Sequence, residues 1–145
     1  MRKLYKNFFT AEEAATSQQL KANSQTKATD LANTQPFAKI IKTIRRDFDV
    51  SPNASSYINI ERRESGHKWH KDTGDSDHMM WCRVGGSIIL NEGKGGGDTY
   101  YGENIEGLNK VKSERGLYDL VLHTSDEWHM VEPNKGGREV LLIFI

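Results

Sequence analysis

The last six residues, Val140-Leu141-Leu142-Ile143-Phe144-Ile145, are all apolar and follow directly on Arg138-Glu139. A strand shows alternate side chains to opposite faces, so a run with no polar residue must be covered on both sides. That requirement excludes a single sheet with one wet face and asks for a second layer. One cover is supplied by the segment Pro36 to Phe48, where Phe37, Ile40, Ile41, Ile44 and Phe48 recur at i, i+3, i+4, i+7 and i+11. This spacing predicts an amphipathic helix with one apolar face and Pro36 near its start, braced against the sheet.

The rest of the chain reads mainly as strands. Ser56 to Glu61 alternates, with Ile58 and Ile60 on one face and Tyr57, Asn59 and Glu61 on the other, inward, face. Further strands are expected over Ser87 to Leu90, ending in Asn91 and the glycine loop Glu92 to Asp98, and over Leu117 to His123. Several strands with glycine-rich connections indicate a sandwich or jelly roll rather than alternating β-α units. Thr10 followed by Glu13 is a capping-box pattern that starts a helix at Ala11, expected to reach Leu20 or beyond. Ser17 to Asn33 is polar and weakly periodic, and reads as fraying helix or loop. A chain of 145 residues suits one domain. Its expected parts are helical support over 1–50 and a jelly-roll core over 51–145.

Twenty basic and twenty acidic residues cancel, so nucleic acid is not a favoured partner. Cys82 is the only cysteine, which excludes an intrachain disulfide framework and fits a reducing compartment. Met1 to Phe9 has no apolar leader core, and no stretch has membrane-spanning length, so a cytoplasmic protein with no membrane partner is expected.

The chemistry concentrates between Gly66 and Arg138. His70 and Asp72 are two residues apart and share a face of an extended chain. His129, delivered from a neighbouring strand, completes two imidazoles and one carboxylate on one side of a metal. This is the facial triad of non-haem Fe(II) oxygenases, and ligands without thiolate suit Fe(II) better than a closed zinc site. Arg138 follows His129 by nine residues and heads the buried final strand. A guanidinium placed there needs an anion, and a dicarboxylate held end-on by a bidentate contact meets that need.

With these residues the chain resembles the 2-oxoglutarate/Fe(II)-dependent dioxygenases, in particular the prolyl-hydroxylase-like branch. The likeness rests on Gly66, on His70 and Asp72, and on Leu90-Asn91. It continues through Gly95-Gly96-Gly97-Asp98-Thr99 to His129, Pro133 and Arg138, and spans about Phe8 to Ile145. It implies a double-stranded β-helix, cupin-like and braced by helices, with His70, Asp72 and His129 as metal ligands and catalytic centre. Fe(II), 2-oxoglutarate as cosubstrate and O2 are implied with it, and ascorbate as an accessory reductant. Arg138 would meet the C5 carboxylate, and the product set would include succinate and CO2. The substrate class is a protein or peptide side chain or a small molecule, hydroxylated or demethylated. The compact length looks like that of versions encoded by bacteriophages, which would place the protein in a host cytoplasm.

Two departures matter. Arg62, Arg63 and Glu64 stand where prolyl hydroxylases usually carry a tyrosine, so Tyr57 and Asn59 become the candidates for the second 2-oxoglutarate donor. Phe144 stands where nucleic-acid demethylases of the superfamily carry a further arginine, which argues against that branch. Of the other histidines, His67 reads as an exposed turn residue, His78 as solvated or facing substrate, and His123 as a hydrogen-bonded core residue. Trp69 and Trp128 each precede a proposed ligand and are expected to wall the site, and Trp81 to pack. The alternatives are a non-catalytic cupin-like binding module, which has no need of Arg138, and a structural jelly roll, which needs no metal.

Overall fold

Alternating apolar and polar residues build most of the molecule, seen in a computed structural model that describes residues 1–73 and 79–145. In chain order the elements are β1 (Arg2–Tyr5), α1 (Ala11–Ser17), β2 (Thr26–Lys27), α2 (Ala28–Leu31) and α3 (Phe37–Phe48). These are followed by β3 (Tyr57–Glu61), β4 (His67–His70), β5 (Val84–Glu92), β6 (Thr99–Gly102) and β7 (Val111–Lys112). The chain closes with β8 (Leu120–Thr124), β9 (Trp128–Val131) and β10 (Arg138–Phe144). They form a six-stranded sheet in the order β1-β8-β5-β10-β3-β2 and a four-stranded sheet in the order β4-β9-β6-β7. Every paired register is antiparallel. This is the expected mainly-β jelly roll with few helices.

The apolar run at the C-terminus lies at the centre of the larger sheet, between β5 and β3. Its two faces separate as the alternation requires. Leu141 and Ile143 enter the main core with Ile58, Ile60, Leu120, Leu122 and the α3 residues Phe37, Ile40 and Ile44. Val140, Leu142 and Phe144 face a cavity instead. Phe37, Ile40, Ile41 and Ile44 of the α3 stripe are buried as expected, and Phe48 at its end is half-buried against the core. Ile44→Ala is therefore expected to cost about 2–5 kcal/mol in denaturant unfolding, as a large-to-small core change. A loss within about 0.5 kcal/mol, the range of surface sites, would put this helix face in solvent.

The N-terminal stretch differs from expectation at two points. The capping box forms, Thr10 Oγ1 accepting from the Glu13 amide at 3.0 Å while Glu13 Oε1 accepts from the Thr10 amide at 2.9 Å. Yet α1 stops at Ser17, because the Ser17 hydroxyl turns back on the Ala14 carbonyl and the next bonds tighten to the i+3 pattern. The polar stretch that follows contains β2 and α2, and the first fifty residues thus supply both edge strands of the larger sheet, β1 and β2. Among the described residues no helix is long and apolar enough to cross a membrane.

Candidate metal centre

His70 and His129 are register partners across β4 and β9, with ring centroids 4.3 Å apart. Each ring is pinned from behind by the carbonyl two residues earlier in the chain. His70 Nδ1 donates to the Lys68 carbonyl at 2.6 Å and His129 Nδ1 to the Glu127 carbonyl at 2.9 Å. A carbonyl can only accept, so Nδ1 holds the proton in both rings and Nε2 is the atom left to face inward. Both Nε2 atoms look toward Asp72 Oδ1, at 3.9 Å from His70 and 3.3 Å from His129. Asp72 sits just past the end of β4, its amide donating to the Ser125 carbonyl at 3.1 Å. The three ligand atoms lie within 4.8 Å of one another, close enough to hold one metal ion.

The other Asp72 oxygen is taken by a third histidine. His123 Nε2 meets Asp72 Oδ2 at 2.6 Å, and its Nδ1 meets the Tyr101 hydroxyl at 2.8 Å. His123 is thus the satisfied buried histidine expected, but what satisfies it is the carboxylate of the candidate site. Room for that carboxylate comes from Gly85, the register partner of His123. A Cβ at Gly85 would stand 1.8 Å from Asp72 Oδ2 and 2.7 Å from His123 Nε2, so no larger residue fits.

Electrostatics follow from this packing. Burial alone would raise the Asp72 carboxyl, but hydrogen bonds from His123 and His129 outweigh it and hold the group well below the usual carboxylate range. Burial, with repulsion from His129, lowers His70, and burial lowers His123. For His129 burial is outweighed by the Asp72 contact, and the ring is raised. One carboxylate thus favours the protonated form of His129, and a cation placed at this point would compete with that proton. Cys82 offers no competing ligand, since burial pushes its thiol up to about 12.

A cavity of about 80 Å³ opens beside these groups. Its walls include Val131, Val140, Leu142 and Phe144, and both Arg138 and Arg115 reach it. Phe144 is paired with Gly85, against which Asp72 packs, whereas Arg138 begins the same strand opposite Glu92. The imidazoles and Arg138 therefore occupy opposite ends, with Val140 and Leu142 between. The Arg138 side chain lies over Gly97, whose φ is +80°, and a Cβ there would come within 2.6 Å of Nε. Burial lowers the Arg138 pKa against the opposing pull of Glu61 and Asp98, and among the described residues the guanidinium forms no ion pair.

Other sequence-predicted residues fall differently. Tyr57 and Asn59 share the inward face with Glu61, yet Glu61 lines the cavity and the other two do not. Tyr57 packs between Phe144 and Trp81 instead, with ring centroids at 4.9 and 6.0 Å, and Asn59 Oδ1 is buried without a partner among the described residues. His67 is no exposed turn residue. A register shift in β4 between His67 and His70 puts both on the cavity side, where His67 bonds Glu61 at 2.8 and 3.0 Å. Trp69 and Trp128 do not line the cavity, because a residue next to an inward-facing one on a strand points outward. Trp69 packs on Gly102 and Gly107, and Lys71 lies over Trp128. His78 lies outside the described residues. Arg115, His123 and Tyr101 were not singled out as site residues from the sequence, since their roles depend on cross-sheet partners that no local spacing encodes.

No protein-family model matches the sequence, and no curated protein matches it. Solved structures do. A Pseudomonas putida prolyl-4-hydroxylase superposes with a TM-score of 0.66 at 18% identity, over 99% of this chain and 83% of that one. A Trichoplax adhaerens prolyl hydroxylase, solved with a peptide fragment of the hypoxia inducible factor oxygen degradation domain, gives 0.59 at 15% identity over 99% and 82%. A 2OG-Fe(II) oxygenase family oxidoreductase from Burkholderia pseudomallei gives 0.57 at 14% identity over 80% of this chain, which spans about half of that protein, 52%. At such identities the likeness is one of architecture, and in architecture this chain has the jelly-roll fold of the prolyl-4-hydroxylase-like 2-oxoglutarate/Fe(II) oxygenases.

Proposed function

We propose that the chain is a 2-oxoglutarate- and Fe(II)-dependent dioxygenase that hydroxylates a substrate and releases succinate and CO2. The observation that carries this reading is one cavity with His70, Asp72 and His129 at one end and at the other the guanidinium of Arg138, which forms no ion pair among the described residues. Two imidazole nitrogens and one carboxylate oxygen, with no thiolate, fit Fe(II) and leave one side of the ion open. Bound there, Fe(II) with 2-oxoglutarate and O2 supplies the oxidising chemistry.

The chain's own part is positioning. The Lys68 and Glu127 carbonyls fix the two imidazoles, and His123 fixes Asp72 by its second oxygen, leaving Oδ1 for the metal. Arg138 takes the C5 carboxylate of 2-oxoglutarate through its two-pronged edge. Val140 and Leu142 line the span between and keep it dry. A protein or peptide side chain is the favoured substrate class, supported by the peptide held by the Trichoplax adhaerens neighbour.

His123→Ala is expected to weaken Mn(II) or Fe(II) binding about 10- to 100-fold in calorimetric titration, the usual cost of losing a group that orients a ligand. Unchanged affinity in a folded variant would mean Asp72 needs no such support. The function itself is tested by following 2-oxoglutarate conversion to succinate with Fe(II) under O2. Slow uncoupled turnover in the wild type, absent in His129→Ala, supports it. Full metal loading with no succinate would favour a non-catalytic cupin-like module.

A further inference from the structure

The cavity holds a second cation that the reading above does not use. Arg115 enters from the segment between β7 and β8, and two neutral hydroxyls hold its guanidinium. Nη2 donates to Thr99 Oγ1 at 2.9 Å and Nη1 donates to Ser87 Oγ, while the Nε–H is buried with no partner among the described residues. The acids nearby are committed elsewhere. Glu61 bonds His67, Asp72 bonds His123 and His129, and Asp98 pairs with Lys112 at 3.4 Å. Asp119 accepts from the Asn7 and Gly116 amides and pairs with Lys6. Among the described residues, then, neither Arg115 nor Arg138 has a carboxylate partner.

Burying two like charges beside one cavity is costly unless an anion joins them. Burial, together with repulsion from Arg138, pushes Arg115 down to about 10, so it stays charged at neutral pH. A carboxylate has two oxygens and about four lone-pair sites, of which one guanidinium edge fills two. A second guanidinium, already held in place by Thr99 and Ser87, can take the remainder without losing further side-chain freedom.

We infer that Arg115 is the second donor to the distal carboxylate of the cosubstrate, so that Arg115 and Arg138 together select a 2-oxo acid with a negative charge at its far end. The inference rests on the 2-oxoglutarate reading above and deepens it. It fills the role that the sequence alone pointed to Tyr57 or Asn59 for, neither of which lines the cavity. A 2-oxo acid of equal length without the distal carboxylate would leave both guanidiniums buried and unpaired.

The test is anaerobic calorimetric titration of Mn(II)-loaded protein with 2-oxoglutarate and with 2-oxopentanoate, which lacks the distal carboxylate. Wild type is expected to prefer 2-oxoglutarate strongly. Arg115→Ala should lower 2-oxoglutarate affinity about 10- to 100-fold, the range for a lost charge-assisted bond, while leaving Mn(II) and 2-oxopentanoate affinities unchanged. Arg115→Lys, keeping charge without the fork, should fall between and serves if the alanine variant does not fold. If both Arg115 variants bind 2-oxoglutarate like wild type while Arg138→Ala loses it, Arg115 is structural and the inference is overturned with the cosubstrate reading intact. If wild-type protein does not bind 2-oxoglutarate, both are overturned.

Discussion

His129→Ala is expected to abolish stoichiometric Fe(II) binding while leaving the fold in place. The ring contributes one of three ligand atoms gathered within 4.8 Å, and the two that remain, on His70 and Asp72, hold the ion poorly against water. The packing loss is confined to a strand of the smaller sheet, outside the main core. His70→Ala should behave alike, although His70 is the more exposed of the two. The pH dependence has a definite sign. Because Asp72 raises the His129 pKa above its ordinary 6.5, wild-type Fe(II) affinity should fall as pH drops through that raised value, where a proton competes for Nε2. Metal analysis of the purified variants is the check, and wild-type metal content in both would refute the triad.

Arg138→Ala is expected to weaken 2-oxoglutarate binding about 30- to 1000-fold, the equivalent of about 2–4 kcal/mol for a desolvated, charge-assisted carboxylate contact. Fe(II) affinity should hardly change, because the guanidinium lies at the other end of the cavity from the imidazoles. Arg138→Lys should sit between, retaining charge but not the fork. Gly97 bears on the same contact: a side chain there would collide with Arg138 and, at φ +80°, strain the backbone as well. Isothermal titration on metal-loaded protein separates these effects, since a loss of both metal and cosubstrate would point to a collapsed site instead of a missing clamp.

What could be read from the sequence was whatever depends on local spacing or on strand alternation. The α3 stripe, the capping box at Thr10, the two faces of β10 and the nearness of His70 to Asp72 are all of this kind, while His129 joins that pair only through the pairing of β4 with β9. The end of α1 was not readable, because a single Ser17 hydroxyl bond decides it. The position of His67 escaped because a register irregularity overrides simple alternation in β4. The tryptophans were placed wrongly for the opposite reason, since alternation sends Trp69 and Trp128 away from the face their neighbours share. Arg115, His123 and Tyr101 required the sheet order itself. Each meets a side chain brought near by the packing of one sheet on the other, as when His123 of the larger sheet reaches Asp72, which follows β4 of the smaller, through the space left at Gly85.

In the proposed reaction one cavity binds Fe(II) at His70, Asp72 and His129 and a 2-oxo dicarboxylate at Arg138. The most direct test is anaerobic addition of Fe(II) and then 2-oxoglutarate, watching for the weak visible charge-transfer band of a 2-oxo acid chelated to Fe(II). The band is expected to saturate at one equivalent of each in wild-type protein, to be missing in His129→Ala, and to need far more 2-oxoglutarate in Arg138→Ala. Wild-type protein that binds Fe(II) but shows no band at any 2-oxoglutarate concentration, with Arg138→Ala indistinguishable from it, would rule out a 2-oxo acid site in this cavity.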